Sequence, residues 1–288
     1  MSNIQQLIFI VIVTNAGGQG KTTLARVLKT LFGLVGQPVQ LLDSDVGNAA
    51  ASVIDASAKV VGWSARAVVA PQILAACIGK HVILDLGANA LASAREIVDL
   101  LPQLVTDFEA AGYRNVAFLP VTPNKPGATE AVLHLAEQLP PMERIVVRND
   151  IDGSGQFEAL TTSDRVVDLK HLPPGYMSYV NEGGLTFLDA VQQPAPDRTE
   201  AGRVIAKWMG DFAKQTQKHG LFASPAAKLE LHPRPRGNAR FIVKTAAAAT
   251  DRALFKNHRM TEVIDLLNQH GWTPAGLRAV ADEITERS

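Results

Sequence analysis

A chain of 288 residues with no net charge, 47% hydrophobic and 19% charged, is long enough for one large domain with an appendage. This balance excludes an intrinsically disordered chain, and a single cysteine, Cys77, excludes an internal disulfide framework and favours a reducing cytoplasm. No apolar run approaches the ~20 residues of a membrane span, and residues 7–13 lack the basic leader of a signal peptide. We therefore expect a folded cytoplasmic protein without a membrane span, with Cys77 in its core.

The first pattern along the chain is a glycine-rich segment between a predicted strand, 7–13, and a predicted amphipathic helix. Its sequence over 15–23 is Asn-Ala-Gly-Gly-Gln-Gly-Lys-Thr-Thr. Backbone N–H groups in such a turn converge on an anion, and the helix N-terminus adds partial positive charge. Lys21 can reach phosphate oxygens and the Thr22 hydroxyl can ligate Mg²⁺. The candidate nucleotide-binding residues are Gly17, Gly18, Gln19, Gly20, Lys21, Thr22 and Thr23.

This segment predicts a Walker A phosphate-binding loop, with Asn15 at the position of the first glycine of that motif. The alternative is an ordinary glycine-rich turn with an incidental lysine. In the helix that follows, the apolar spacing predicts a buried face, and Gly33, Gly36 and Pro38 are expected to end the helix. The residues of that face are Leu24, Val27, Leu28, Leu31 and Phe32.

Carboxylates follow the next two predicted strands, 39–42 and 81–84. Asp43 and Asp45 come after the first strand, where they are candidates to hold Mg²⁺ through water or to orient an attacking water. Which of the two aspartates does so stays open, and the alternative is a solvated turn with a helix cap. Asp85 ends the second strand in the Walker B form, which predicts a Mg²⁺ ligand.

Strands and helices alternate over the rest of residues 1–213. Helices are predicted at 93–101, 104–111, 127–139, 185–191 and 200–212, and strands at 115–121, 145–147 and 165–169. The alternation predicts an α/β fold, a doubly wound and mostly parallel sheet. The apolar face of the last helix is predicted to pack into the core, through Val204, Ile205, Trp208, Met209 and Phe212.

Positive charge is concentrated in residues 214–260, which hold 10 Lys and Arg against 2 Asp and Glu. We expect a basic, largely extended linker over 214–259 and a small helical appendage over 260–288, which must dock on the main domain, a second copy or a partner. Basic extended segments follow phosphate backbones without reading bases. The segment predicts non-specific DNA binding through Arg234, Arg236, Arg240 and Lys244, the alternative being a solvated linker.

The ordered motifs at 15–23, 43–48, 85–87 and 148–150 resemble those of the ParA/MinD family of P-loop ATPases, which share a deviant Walker A loop. The resemblance covers roughly residues 7–212. It implies a P-loop NTPase fold, ATP and Mg²⁺ as cofactors, an adenine contact by Asn149, and a purine-site loop at Pro173. It also implies a homodimer and a protein adaptor or stimulator as partners.

Ala16 departs from that family's pattern, which has a lysine immediately before the glycine pair. The family's lysine reaches across the dimer to the partner's phosphates, and a methyl group cannot donate to phosphate. We therefore expect weak intrinsic hydrolysis and weak ATP-dependent dimerisation, with nucleotide binding retained through Lys21. We expect no counterpart of the N-terminal DNA-binding extension of some partition ATPases, and the acidic last helix poorly matches the membrane-targeting helix of MinD-type proteins.

Three functions remain open at this point. The first is a ParA-like ATP switch in plasmid or chromosome partition, DNA transfer or positioning of a cellular complex, with a nucleoid- or plasmid-associated location. The second is an ATP-dependent small-molecule kinase or amide ligase on the same fold. The third is a weakly hydrolysing nucleotide-binding adaptor, which Ala16 favours.

Overall fold

The structure is a computed structural model that describes residues 6–14, 16–44, 57–61, 70–87, 95–123, 125–157 and 165–222. Its strands are β1 (Ile8–Ile12), β2 (Val39–Asp43), β3 (Lys59–Val60), β4 (His81–Asp85), β5 (Arg114–Val121), β6 (Glu143–Asn149) and β7 (Arg165–Leu169). Its helices are α1 (Lys21–Leu34), α2 (Ala70–Cys77), α3 (Arg95–Ala110), α4 (Ala128–Glu137), α5 (Pro174–Glu182), α6 (Phe187–Gln192) and α7 (Thr199–Gln217). A 3-10 helix covers Pro196–Arg198.

The strands of the described residues form one seven-stranded sheet in the order β3-β2-β4-β1-β5-β6-β7. Every neighbouring pair is parallel, which confirms the predicted doubly wound α/β fold. The chain runs from β1 outward to β3, returns through β4, and then crosses β1 to reach β5. The direction of winding therefore reverses beside β1, and ligands of such sheets bind there, outside the carboxyl ends of the strands.

The central strand β1 is buried on both faces, as expected for a parallel sheet covered by helices. On one face, the ring of Phe9 stacks on Phe108 of α3, with 4.2 Å between ring centroids. The side chain of Ile10 points to the opposite face, because side chains alternate along a strand. On that face Phe32 of α1 stacks on His81 of β4 at 4.3 Å. The predicted burial of the α1 face is confirmed, and Cys77 lies in the core as predicted.

Helix α3 differs from the sequence prediction, which placed two helices at 93–101 and 104–111. The structure has a single helix with Pro102 in its interior. Proline lacks the N–H for one backbone hydrogen bond and is costly at such a position. Leu101, Leu104 and Phe108 on the two sides of Pro102 are nevertheless all buried. The continuous burial of this face compensates for the lost hydrogen bond.

Helix α1 also runs further than predicted, through Gly33 to Leu34. It ends just before Gly36, whose positive φ of 72° suits a glycine after a helix. The sequence did not predict α2, α5 or the two-residue strand β3, all of which are short elements. Local apolar patterns carry little information over so few residues.

The described residues belong to two compact units, one within Met1–Phe187 and Lys207–Glu230 and the other including Leu188–Ala206. In the first, α7 continues beyond 212 to Gln217, and Trp208, Met209 and Phe212 are buried as predicted. Phe222 then packs against Phe32, with ring centroids 4.7 Å apart. In the second, a Cβ on Gly202 would lie 2.7 Å from the Ala190 carbonyl oxygen, so glycine permits this contact.

The predicted boundaries at 1–213, 214–259 and 260–288 stay predictions, because residues 223–288 lie outside the described part of the chain. No helix in the described residues is long and apolar enough to cross a membrane.

Candidate nucleotide-binding site

The carboxyl ends of β2, β4 and β1 bring the predicted site residues to one edge of the sheet. Asp43 of β2 lies directly opposite Asp85 of β4, and Asp85 lies opposite Ile12 of β1. The glycine-rich loop leaves β1 at this level and leads into α1, which begins at Lys21. Both aspartates and Lys21 are almost completely buried. The structure thus groups the predicted phosphate loop with two of the three predicted aspartates.

A hydroxyl–carboxylate pair connects the first turn of α1 to β4. The Thr22 hydroxyl donates to Asp85 Oδ2 at 2.9 Å. A hydroxyl and a carboxylate oxygen are the hard ligands that Mg²⁺ takes from proteins, with water and phosphate completing its coordination. The donor set therefore fits Mg²⁺, and Thr22 and Asp85 are the residues that would hold it.

The glycine-rich loop is held by Asn149 at the end of β6. Its side-chain amide Nδ2 donates to the Gln19 carbonyl at 3.0 Å. Gly20 has a φ of 80°, and a Cβ at this position would lie 2.1 Å from Asn149 Nδ2. Only glycine combines this left-handed backbone with so close an approach. The adenine contact implied for Asn149 stays a prediction, whereas its contact with the loop is observed.

Gln19 is the least satisfied side chain of the loop. It is fully buried, and neither its amide nitrogen nor its amide oxygen has a hydrogen-bond partner among the residues that the structure describes. Buried polar groups without partners are rare in folded proteins and cost free energy. The glycine-rich loop therefore carries a buried polar side chain without a hydrogen-bond partner among the described residues.

Lys125 is a functional candidate that the sequence analysis did not assign. It lies in the loop between β5 and α4, and its ammonium donates to the carbonyl of Gly17 in the glycine-rich loop. A Cβ on Gly18 would be 3.3 Å from Lys125 Nζ. The signal available in the sequence was its place just after β5, the strand that pairs with β1. Polar residues at that position face the ligand crevice of such sheets.

Ser44 is a second residue that the sequence analysis left without a role. Its backbone N–H and its hydroxyl both donate to the Asp85 carbonyl, at 3.1 and 2.9 Å. The hydroxyl oxygen accepts a hydrogen bond from the Gly87 N–H at 3.2 Å. Ser44 therefore joins the ends of β2 and β4 and fixes the backbone that carries Asp85.

Arg26 anchors the helix that follows the loop. Its guanidinium donates to Asn181 Oδ1 at 2.9 Å and to the Leu185 carbonyl at 3.3 Å, and lies 4.8 Å from the centre of the Phe187 ring. Arg26 is itself buried. These contacts fix α1, and with it Lys21 and Thr22, against the end of α5 and the segment that follows it.

Several residues predicted to belong to the site are not seen to join this cluster, or lie outside the described residues. Pro173 is exposed and immediately precedes α5. Asn15, Asp45 and the four basic residues predicted to bind DNA lie outside the described residues. Ala16, at the position of the missing lysine, accepts a hydrogen bond from the Thr14 hydroxyl through its carbonyl at 2.9 Å.

Similar solved structures come from MinD and McdA proteins. The septum site-determining protein MinD of Pyrococcus horikoshii, complexed with Mg-ADP, has a TM-score of 0.46 and 14% identity, over 76% of this chain and 100% of that one. MinD of Aquifex aeolicus has a TM-score of 0.44 and 15% identity, over 70% and 97%. An ATP complex of McdA from Cyanothece has a TM-score of 0.41 and 14% identity, over 72% and 97%.

MinD and McdA ATPases of the ParA/MinD family are thus among the solved structures to which this chain is similar, at 14–15% identity. No protein-family model matches the sequence, and no curated protein does either. The functional proposal therefore rests on the residues of this chain.

Proposed function

We propose that this chain is a ParA-like ATP-binding switch that hydrolyses ATP slowly and acts in plasmid or chromosome partition, DNA transfer or positioning of a cellular complex. The observation that carries the proposal is the contact between the Thr22 hydroxyl and Asp85, 2.9 Å apart beside the glycine-rich loop. Residues of the Walker A and Walker B types, 63 positions apart in sequence, meet there as an ATP-Mg²⁺ site requires.

The roles of the remaining residues follow from their chemistry. The backbone N–H groups of the loop and the α1 N-terminus bind phosphate oxygens, and the Lys21 ammonium neutralises charge on the β- and γ-phosphates. Bound Mg-ATP supplies a γ-phosphoryl group for transfer to water, with the metal stabilising its charge. Asp43 or Asp45 orients the attacking water, and Asp43 is already buried next to Asp85 in the sheet register.

Ala16 sets the expected rate within this proposal. Its methyl group supplies no cation to a partner's phosphates, so hydrolysis is slow and ATP-dependent dimerisation is weak. This same residue favours the second candidate function, an adaptor that binds nucleotide and barely hydrolyses it. An adaptor or stimulator protein, and DNA bound through residues 214–260, are the partners that either function uses.

The test begins with calorimetric titration of Mg-ATP into the wild-type chain and into Lys21→Ala. We expect the substitution to weaken binding at least roughly tenfold, because it removes a charge-assisted contact to phosphate. Lys80→Ala is the matched control, since Lys80 lies at the amino end of β4, the opposite edge of the sheet. Unchanged affinity in Lys21→Ala, or a wild-type chain that does not bind Mg-ATP, excludes the proposal.

Turnover measurements then distinguish the candidate functions. Hydrolysis that rises when duplex DNA is added supports the switch. Hydrolysis that stays close to zero although Mg-ATP binds supports the adaptor. Turnover that depends on an added small-molecule acceptor supports the kinase or ligase on the same fold.

A further inference from the structure

We propose that Lys125 is a phosphate-positioning residue, which supplies from the same chain a cation that Ala16 does not. This inference rests on the proposed ATP site and names the side chain that completes it. Lys125 donates to the carbonyl of Gly17, which is the residue directly after Ala16. The ammonium therefore lies against the segment of the loop where the missing lysine would begin.

The position of the ammonium matches the surface that phosphate must approach. Lys125 Nζ lies 3.3 Å from where a Cβ of Gly18 would be, so it covers the side of the loop at Gly17 and Gly18. The loop glycines leave their N–H groups open to an anion because no side chain shields them. An anion bound by these N–H groups meets the Lys125 ammonium at the rim of the same site.

The Lys125 ammonium has donors left for a phosphate oxygen in addition to the Gly17 carbonyl that it contacts. An ammonium carries three N–H donors, and the Gly17 contact uses one of them. A hydrogen bond between two ions is stronger than one to a neutral carbonyl. Lys125 can therefore keep its contact with Gly17 while it donates to a phosphate oxygen.

The sequence around Lys125 restricts its position. Pro123 and Pro126 flank it, and each proline fixes its own φ. Gly127, with a φ of 72°, is then the N-cap residue of α4. A restrained loop loses less conformational entropy when its lysine binds a ligand than a free loop does. Lys125 is also only partly exposed, which strengthens its interaction with an anion relative to a fully solvated lysine.

The experiment compares Lys125→Met, which keeps the length and removes the charge, with Lys125→Arg, which keeps the charge. Lys80→Met is the control, because Lys80 is also partly exposed but lies at the opposite edge of the sheet. The readout is the dissociation constant of Mg-ATP by calorimetry at several salt concentrations. We expect Lys125→Met to weaken binding roughly 10-fold to 100-fold, and Lys125→Arg to restore most of it.

The salt dependence separates electrostatic from structural action. Loss of the Lys125 charge should make the affinity for Mg-ATP fall less steeply with salt than in the wild type, because one screened attraction is gone. If Lys125 only held the loop through Gly17, Lys125→Met would bind more weakly with an unchanged salt slope, and this result would overturn the inference. Equal affinities in Lys125→Met and Lys80→Met would also overturn it.

The proposed function can fail separately. If the affinity for Mg-ATP depends on Lys21 but not on Lys125, only the role of Lys125 is rejected and the proposed function stands. Absence of Mg-ATP binding by the wild-type chain rejects both.

Discussion

At the scale of single residues, we expect the buried polar side chain of Gln19 to cost the nucleotide-free protein stability. Its two amide atoms are buried without hydrogen-bond partners among the described residues. A buried polar group without a partner costs about 1–3 kcal/mol in mutational data. We therefore predict that Gln19→Leu, which has nearly the same volume and no polar atoms, raises the free energy of unfolding of the nucleotide-free chain by about 2 kcal/mol.

Urea unfolding measures this change, with Gln40→Leu as the matched control. Gln40 is also buried, but its Nε2 donates to the carbonyls of Leu41 at 3.0 Å and Ser57 at 3.2 Å. The same substitution should therefore destabilise the chain at position 40. A lowered unfolding midpoint in both variants would refute the prediction.

The single-residue contacts also separate what the sequence could predict from what it could not. Lys21 and Thr22 were predictable because a local pattern of glycines, strand and helix encodes them, and Asp85 because it ends an apolar strand. Lys125 and Ser44 were not assigned, since their contacts join segments that are 108 and 41 residues apart. Such contacts depend on the strand order, which local patterns do not contain.

At the scale of elements, β4 contains a buried histidine that makes the fold sensitive to acid. His81 Nδ1 accepts a hydrogen bond from the Ile8 N–H at 3.2 Å, which joins β4 to β1. Burial lowers the pKa of His81 from 6.5 to about 4. Between these values the unfolded chain binds a proton that the folded chain excludes, so stability decreases as the pH falls through this window.

We predict that the wild-type chain loses about 3 kcal/mol of unfolding free energy through His81 between pH 7 and pH 4. His81→Gln keeps a hydrogen-bond acceptor but does not titrate, so its stability should fall less steeply over this range. Unfolding by urea at each pH gives both slopes, with His134→Gln, an exposed histidine, as the control. Equal slopes in the wild type and His81→Gln would show that His81 does not cause the acid sensitivity.

The sequence correctly predicted the edge strand β7, but it did not predict how the free backbone groups of that strand are satisfied. An edge strand presents unpaired backbone groups to solvent. The Gln215 side chain of α7 accepts from the Asp168 N–H at 2.8 Å and donates to the Asp168 carbonyl at 3.0 Å. Helix α7 thus satisfies part of the β7 edge, which its apolar pattern alone did not indicate.

Helix α3 shows the limit of the rule that proline ends a helix. The sequence predicted two helices, 93–101 and 104–111, on the two sides of Pro102, where the structure has one helix. The compensating burial of Leu101 and Phe108 appears only once the sheet is assembled. Tertiary packing therefore decided an element boundary that local propensity had predicted wrongly.

At the scale of the whole molecule, the amino ends and the carboxyl ends of the strands carry different chemistry. At the amino edge, Glu143 of β6 pairs with Arg114 at 2.5 Å and Arg165 at 2.5 Å. The hydrogen bond from Arg114 holds the pKa of Glu143 below its usual value, with the charge of Arg165 acting in the same direction. Ion pairs thus join three strands at one edge, whereas the candidate nucleotide site lies at the other.

The charge of the molecule is likewise divided along the chain. Residues 214–260 hold 10 basic and 2 acidic residues, whereas residues 1–213 hold 16 basic and 21 acidic residues. Basic residues neutralise phosphates and release condensed counterions, which makes DNA affinity fall as salt rises. Aromatic residues in this segment are limited to Phe222, Phe241 and Phe255, so base stacking contributes little. These features favour binding to the DNA backbone without sequence preference.

We predict that the chain binds two unrelated DNA duplexes with equal affinity, through Arg234, Arg236, Arg240 and Lys244. Replacing these four residues with alanine should reduce the slope of log affinity against log salt by about 3 to 4, because each phosphate contact contributes roughly 0.9. The control variant makes the same change in charge elsewhere in the chain, at Lys59, Lys80, Lys170 and Lys207. If both variants keep the wild-type affinity and slope, residues 214–260 do not bind DNA. If both lose them equally, net charge and not this segment determines binding.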